Sequence, residues 1–389
     1  MGSGGPKSVI VVGAGIVGAS AAYFLGRAGY AVRILDAVAP AAGATGSADG
    51  AVSVASKRPG PMMEAALAGV ALYRSLAQEG LFRDLFKTRP TLMVAEDDSE
   101  VPVLERHAEA LAGCGVTVGR LDGAAMRARI PVAGPGVRVA IEVSGEGHAI
   151  GFQIVRRLIE AAGVAVERNR AVTALAFAPG GAAVEGVVTD AGILHADHVV
   201  LAAGGGSAAL LGLSQALRPR KGQLLVTDRA PALNAALPGS LMSCRYLMSK
   251  TPAQPAGPAP RRGGLVIDPL RTGQFLIGGT REDTAEKDND IDAVRGILAG
   301  AVLMMPGLAG LRLVRAFAGV RTATADGLPL IGRAPGLRNV VVATGFEGDG
   351  ICLGPLAGKL VGQLVAGRAA EIELAPFDPA RFSRRSLVA

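Results

Sequence analysis

Gly13, Gly15 and Gly18 stand in the string GAGIVG, between an apolar β-rich run, SVIVV, and a helix-forming stretch, ASAAYFLGRAG. Glycines at this spacing do three different jobs. The first permits a sharp turn, the second lets the backbone approach a pyrophosphate, and the third lets the helix pack on the sheet. Ile16 and Val17 complete the motif where the helix opens, and the unpaired N–H groups and dipole of a helix start favour an anion. Asp36 lies 18 residues after Gly18, at the end of the next β-rich run, AVRILD. A carboxylate there accepts hydrogen bonds from ribose hydroxyls and disfavours a 2′-phosphate. Together these residues predict a dinucleotide site.

A single fingerprint of this kind fits NAD or FAD. Two more glycine-rich turns follow strand-like runs, at Gly204-Gly205-Gly206 after HVVLAA and at Gly345-Phe346-Glu347-Gly348-Asp349-Gly350 after NVVVAT. An NAD domain has no use for the last of these. A flavin has a second polar end, the pyrimidine carbonyls, which gains from backbone donors at a helix start. Three such turns favour FAD, with an NAD-dependent dehydrogenase as the alternative.

The elements that must position these turns follow from pattern. Residues 8–36 read as β–turn–α–β, the minimum unit of a doubly wound α/β sheet. Helices are expected over Pro61 to Phe86, Val103 to Ala112, Gln153 to Ala162 and Pro355 to Val365. Alternating strands (GQLLVTD, GLVIDP, QFLIGGT) give the middle of the chain a different character, and the proline-rich stretch from Thr251 to Gly264 reads as a mobile loop. The expected organisation is a cofactor domain from 7–87, 145–215 and 316–375, with an inserted, mostly antiparallel β domain for substrate from 88–144 and 216–315.

Composition narrows the function classes. The 389 residues are half apolar and 19% charged, which suits neither a disordered polyelectrolyte nor a membrane bundle. Aromatics at 4% with no Trp exclude an aromatic-lined single-strand channel as the main design. The net charge of +7 comes largely from singly scattered Arg, without a nucleic-acid-binding signature, so small anionic ligands are expected rather than nucleic acid. Cys114, Cys244 and Cys352 are far apart, and three cysteines without metal spacing read as reduced thiols of a cytoplasmic protein. MGSGGPKS lacks the apolar core of a secretory signal, and the glycines within Val9 to Leu25 make that stretch strand, turn and helix rather than a transmembrane segment. Peripheral attachment at the inner membrane is the alternative location. His195 and His198 are expected on opposite faces and bind no metal, while Glu347 and Asp349 read as exposed or capping residues rather than general bases.

The pieces VIVVGAGIVGASAAYFLGRAGYAVRILD, SKRPGPMMEAALAG, HVVLAAGG, RPRKGQLLVTD, FLIGGTRED, GVRTATADGLPLIGR and TGFEGDGICLGPLAGKL resemble the FAD-dependent D-amino-acid oxidase superfamily over nearly the whole length. The resemblance implies a Rossmann-like FAD-binding domain of the glutathione-reductase type. It assigns Gly13, Gly15, Gly18 and Asp36 to the ADP half of FAD, Thr45, Ser47 and Gly50 to the pyrophosphate and flavin edge, and Val172 to a main-chain contact with adenine. Gly348, Asp349, Gly350 and Ile351 fall where backbone N–H groups face the flavin pyrimidine.

The same resemblance implies oxidation of the C–N bond of a small carboxylate-bearing amino or imino acid. Arg321 would clamp the carboxylate, Tyr246 would wall the pocket, and hydride would leave Cα for flavin N5, giving an imine. SKRPGPM and EGDGI resemble the flavoprotein β subunits of heteromeric dehydrogenases acting on D-hydroxyproline, on opines, or on glycine in hydrogen cyanide synthase. A hetero-oligomer with other dehydrogenase subunits is therefore expected, with the D-hydroxyproline type nearest; a flavin-carrying subunit inactive without its partners is the competing reading. This sequence departs from the family at Asp36 (usually Glu), at Phe346 (often His) and at Thr322 (often Pro). No cysteine lies near Phe317, Ala318 and Gly319, where sarcosine-oxidase-like members attach flavin covalently, so non-covalent FAD is expected.

Overall fold

The computed structural model describes residues 5–249 and 264–383. Residues 1–4 and nearly all of the proline-rich segment expected as a loop lie outside the described residues. Strand Ser8–Val12 is apolar from Val9 onward, where both of its faces are covered. Val9 and Val11 face helices Ile16–Arg27 and Gly350–Val365, while Ile10 and Val12 face an antiparallel three-stranded sheet. This strand lies inside a six-stranded sheet ordered 330–333, 340–344, 198–201, 8–12, 31–35, 166–167; all pairs are parallel except the first.

A second, eight-stranded sheet is antiparallel apart from one parallel pair, Ser240–Ser243 with Thr91–Ala95. Helix Ile291–Met304 packs on it through Val294, Ile297 and Ala301. Its edge strand, Leu313–Thr324, pairs with Leu217–Thr227 from end to end. That strand runs through the boundary expected at 315/316 and delivers Arg321 and Thr322 to the first sheet's glycine turns. Gly319 makes the approach possible, because a Cβ there would lie 2.4 Å from the Ser47 Cβ.

Two helix limits differ from expectation by more than about two residues. The helix expected to reach Phe86 is Pro61–Gln78. Gly80, at φ +99°, turns the chain in the left-handed region, and Phe82 and Phe86 fold back onto Tyr73 at ring distances of 5.4 and 5.3 Å. The last helix begins at Gly350, so Pro355 sits inside it rather than opening it. Proline removes the donor that would bond the carbonyl four residues earlier. The buried Tyr73 hydroxyl donates to that Ile351 carbonyl instead, at 2.8 Å.

Small residues set the spacing of the two helices behind the first sheet. A Cβ on Gly358 would lie 2.3 Å from the Ser20 Cβ, and one on Gly354 would lie 2.8 Å from Ile16. A Gly358→Val variant must push the helices apart, a cost of about 1–3 kcal/mol or more for overpacking a dense core. Its denaturant midpoint should drop clearly below wild type; an unchanged midpoint would show that this contact is soft.

Candidate active site

A cavity of about 540 Å³ opens at the carboxyl ends of the parallel strands, where open α/β sheets take their ligands. Gly13, Gly15, Ile16, Val17 and Asp36 line one end. Val172 belongs to the same end, two residues after Arg170, whose N–H donates to the Asp36 carbonyl; Thr45 and Ser47 line the flank, and Tyr246, Arg321, Gly348, Gly350 and Ile351 line the other end. Gly18, Gly50 and Asp349 do not reach the cavity. Gly18 serves the packing of its helix, since a Cβ there would lie 1.9 Å from the Gly13 carbonyl oxygen. Gly50, at φ +92°, is backed by the His148 ring, which leaves no room for a Cβ.

At the first end, Gly13 adopts φ +102°, and a Cβ would meet the Ala202 carbonyl oxygen at 2.5 Å. Asp36 fastens the turn, accepting from the Ala14 N–H at 2.7 Å and the Val38 N–H at 2.9 Å. A carboxylate has about four acceptor positions, so it retains capacity for a ligand hydroxyl. Thr45 reaches back from the following loop, its hydroxyl accepting from the Ile16 N–H at 3.1 Å. The other two glycine turns are tied together by the Thr344 hydroxyl, which donates to the Gly204 carbonyl at 2.8 Å.

The far end is charged, and much of it was invisible in the sequence. Asp349 is not an exposed or capping residue. It pairs with buried Lys57 at 2.6 Å and makes no side-chain cap to the helix it precedes. Burial alone would lower the Lys57 ammonium, but Asp349, with Cys352, overrides it and holds the lysine above its ordinary range. Glu347 is likewise enclosed in ion pairs, with Arg281 and with Arg220, the latter at 3.0 Å. Phe346, where relatives often have His, is buried core. Gly348 keeps open space on its cavity side; the nearest atom to a Cβ there would be Arg321 Nε, at 3.9 Å.

Arg321 lies flat over Gly222, where a Cβ would meet its Nη2 at 2.3 Å, and donates to the Thr280 carbonyl at 3.3 Å. Among the described residues it has no ion-pair partner. Arg321 and Tyr246 also line a small chamber beside the main cavity, together with Asp49, Asp268, Thr280 and Arg281. Burial raises the Tyr246 phenol, keeping it a neutral donor. Asp268 is committed to the buried Arg89. No signal of spacing marks Asp49, Lys57, Thr280 or Arg281, because their partners come from distant segments. His195 and His198 belong to different strands, and no group of three or more metal-ligating side chains occurs among the described residues.

A glycine-lined cradle with an acidic residue at one end, open backbone at a helix start at the other, and an uncommitted guanidinium beyond it has the parts an extended flavin dinucleotide requires. Fold and cavity define a dinucleotide-dependent oxidoreductase. The chain belongs to the FAD dependent oxidoreductase family, whose match covers residues 8–364, and the NAD-dependent alternative falls with that assignment. It is 30% identical to a glycine oxidase of Pseudomonas putida over 71% of this chain and 72% of that one. It is 28% identical to hydrogen cyanide synthase subunit HcnC of Pseudomonas protegens, over 96% of each. The crystal structure of glycine oxidase from Geobacillus kaustophilus superposes with a TM-score of 0.82 at 25% identity, covering 96% of this chain and 98% of that one.

Two outcomes follow from this geometry. Asp36→Ala removes the fastener of the glycine turn and an acceptor facing the cavity, so FAD retention should weaken by about 1–3 kcal/mol. Equilibrium dialysis measures it, and unchanged affinity would assign ribose recognition elsewhere. His148 donates from Nε2 to the Asp49 carbonyl at 2.8 Å, and burial, aided by Arg89, pushes its imidazole down from 6.5 to about 4. The unfolded chain therefore binds this proton first: stability is whole above pH 6.5 and falls by about 3 kcal/mol as pH drops toward 4. Unfolding free energies between pH 7 and 4.5 should show a shallower slope in His148→Gln; equal slopes would contradict a buried neutral imidazole.

Proposed function

We propose that this chain oxidises the C–N bond of a small D-amino or cyclic imino acid, of the D-hydroxyproline type, using non-covalently held FAD. The observation that carries this reading is Arg321: a guanidinium without a carboxylate partner among the described residues, beside Tyr246, at the far end of a dinucleotide cradle. In this reading Gly13, Gly15, Ile16 and Val17 hold the pyrophosphate, Asp36 the ribose and Val172 the adenine. Gly348, Gly350 and Ile351 offer backbone to the pyrimidine, with Lys57–Asp349 fixing that loop. Thr45 and Ser47 close the flank.

Bound FAD supplies the two-electron acceptor. The chain's own groups bind and orient. The planar fork of Arg321 takes the substrate carboxylate through two parallel hydrogen bonds, and the Tyr246 ring excludes water from the reacting carbon. Positioning of this kind is a large share of what such an oxidation needs. The imine that leaves is hydrolysed by water. Cys244 and Cys352 are buried, with thiols pushed up to about 12 by burial, and neither lines the cavity, which supports non-covalent attachment.

The names of the relatives support an amino-acid donor, and likeness to a hydrogen cyanide synthase subunit supports work within a heteromeric dehydrogenase. The division into a cofactor part (7–87, 145–215, 316–375) and a substrate part (88–144, 216–315), and a cytoplasmic location, belong to the same proposal. No described helix is long and apolar enough to cross a membrane.

Arg321→Ala should cost about 3–5 kcal/mol in kcat/KM, the scale of truncating one partner of a buried charge pair, and Arg321→Lys should remain clearly impaired because it lacks the fork. FAD content should be nearly unchanged. Stopped-flow flavin reduction reads the effect; wild-type-like reduction in the Ala variant would move the carboxylate clamp elsewhere.

A further inference from the structure

We propose that Asp49 receives the substrate's amino nitrogen, so that Asp49 and Arg321 together select α-amino or imino acids over carboxylates lacking a basic nitrogen. The inference rests on the reading of Arg321 as the carboxylate clamp. Asp49 shares both the main cavity and the adjoining chamber with Arg321 and Tyr246. One of its carboxylate oxygens accepts from the Ala51 N–H at 3.1 Å. The second makes no hydrogen bond among the described residues, which is why the tight turn alone does not account for this side chain.

The backbone beneath it is locked. The Asp49 carbonyl accepts from His148, and Gly50 takes a positive φ that leaves no room for a side chain against the His148 ring. A carboxylate on such a fixed base is held in place before any ligand arrives.

Charge counting around the chamber gives the same answer. Asp268 is neutralised by Arg89, and Arg281 by Glu347. Among the described residues lining the chamber, that leaves two groups without a salt-bridge partner, the Arg321 guanidinium and the Asp49 carboxyl, each within reach of the other's charge. A molecule carrying a carboxylate and an amine within one or two bonds of each other complements both. Burial, with Asp268 close by, raises the Asp49 carboxyl, so its ionised form is ill-solvated and gains from a cationic nitrogen brought beside it. A ligand bearing only a carboxylate brings a second negative charge without that relief, and a 2-hydroxy acid replaces a cationic donor with a neutral one.

Asp49→Asn separates this role from the structural one. Asn keeps an acceptor for the Ala51 N–H and drops the charge; Asp49→Ser also retains the local acceptor and serves if the Asn variant loses FAD. The FAD-loaded protein is mixed anaerobically with the best amino or imino acid, and flavin reduction is followed against concentration. Binding of propanoate, which has the carboxylate alone, is measured by its perturbation of the flavin spectrum. The half-saturating concentration of the amino acid should rise at least about 10-fold, the scale of a lost charge-assisted hydrogen bond. Propanoate should bind equally well or better. An unchanged half-saturating concentration, or equal losses for both ligands, would overturn the role given to Asp49. Failure of the underlying reading looks different: the wild-type flavin is then reduced by no amino or imino acid, and the inference goes with it.

Discussion

Backbone crowding at the end of strand Ser8–Val12 is the constraint on which the rest depends. Three contacts there are at distances that exclude a Cβ: Gly13 against Ala202, Gly18 against Gly13, and Gly319 against Ser47. Each contact brings a different sheet or helix to the same cavity wall. Because the atoms in contact are mostly main chain, they cannot relax by a change of rotamer. The cradle is therefore rigid where a cofactor's phosphates would lie, and Asp36 tightens it further by bonding two N–H groups of neighbouring turns. The same closeness carries backward, through Gly354 and Gly358, to the helix that delivers Gly350 and Ile351 to the far end.

The far end obeys different physics. There, buried charges are matched in pairs: Lys57 with Asp349, Arg281 with Glu347, Arg89 with Asp268. Buried ions demand partners, since an uncompensated one costs several kcal/mol. Against that background Arg321 and Asp49, without a salt-bridge partner among the described residues, stand out. Rigid backbone at one end and a deliberate charge mismatch at the other suit a protein that holds one ligand permanently and exchanges another.

The legible parts of the fold were local. GAGIVG, the strand before it and Asp36 lie within about thirty residues, so pattern alone placed the first unit and its cavity face. Helix ends were read less well. Gly80 ended one helix before Phe86, and Pro355 was tolerated because Tyr73 satisfies the carbonyl it frees. Asp349 looked exposed because its partner, Lys57, is 292 residues away. Arg281 and Glu347 are 66 apart, and Asp49 shares a chamber with Arg321 only because that residue's long strand crosses between the sheets. Such neighbours leave no trace in spacing, because they come from segments far apart in the chain.

In the proposed function, one cavity holds FAD at its glycine turns and presents an amino or imino acid to it at Arg321. Anaerobic titration of the purified, FAD-loaded protein with a panel of D-amino and cyclic imino acids, followed at the flavin absorption band, tests it most directly. Stoichiometric bleaching by at least one member is expected, with release of intact FAD when the protein is denatured by acid. A flavin band untouched by every amino and imino acid, or one bleached equally by simple hydroxy acids, would contradict it.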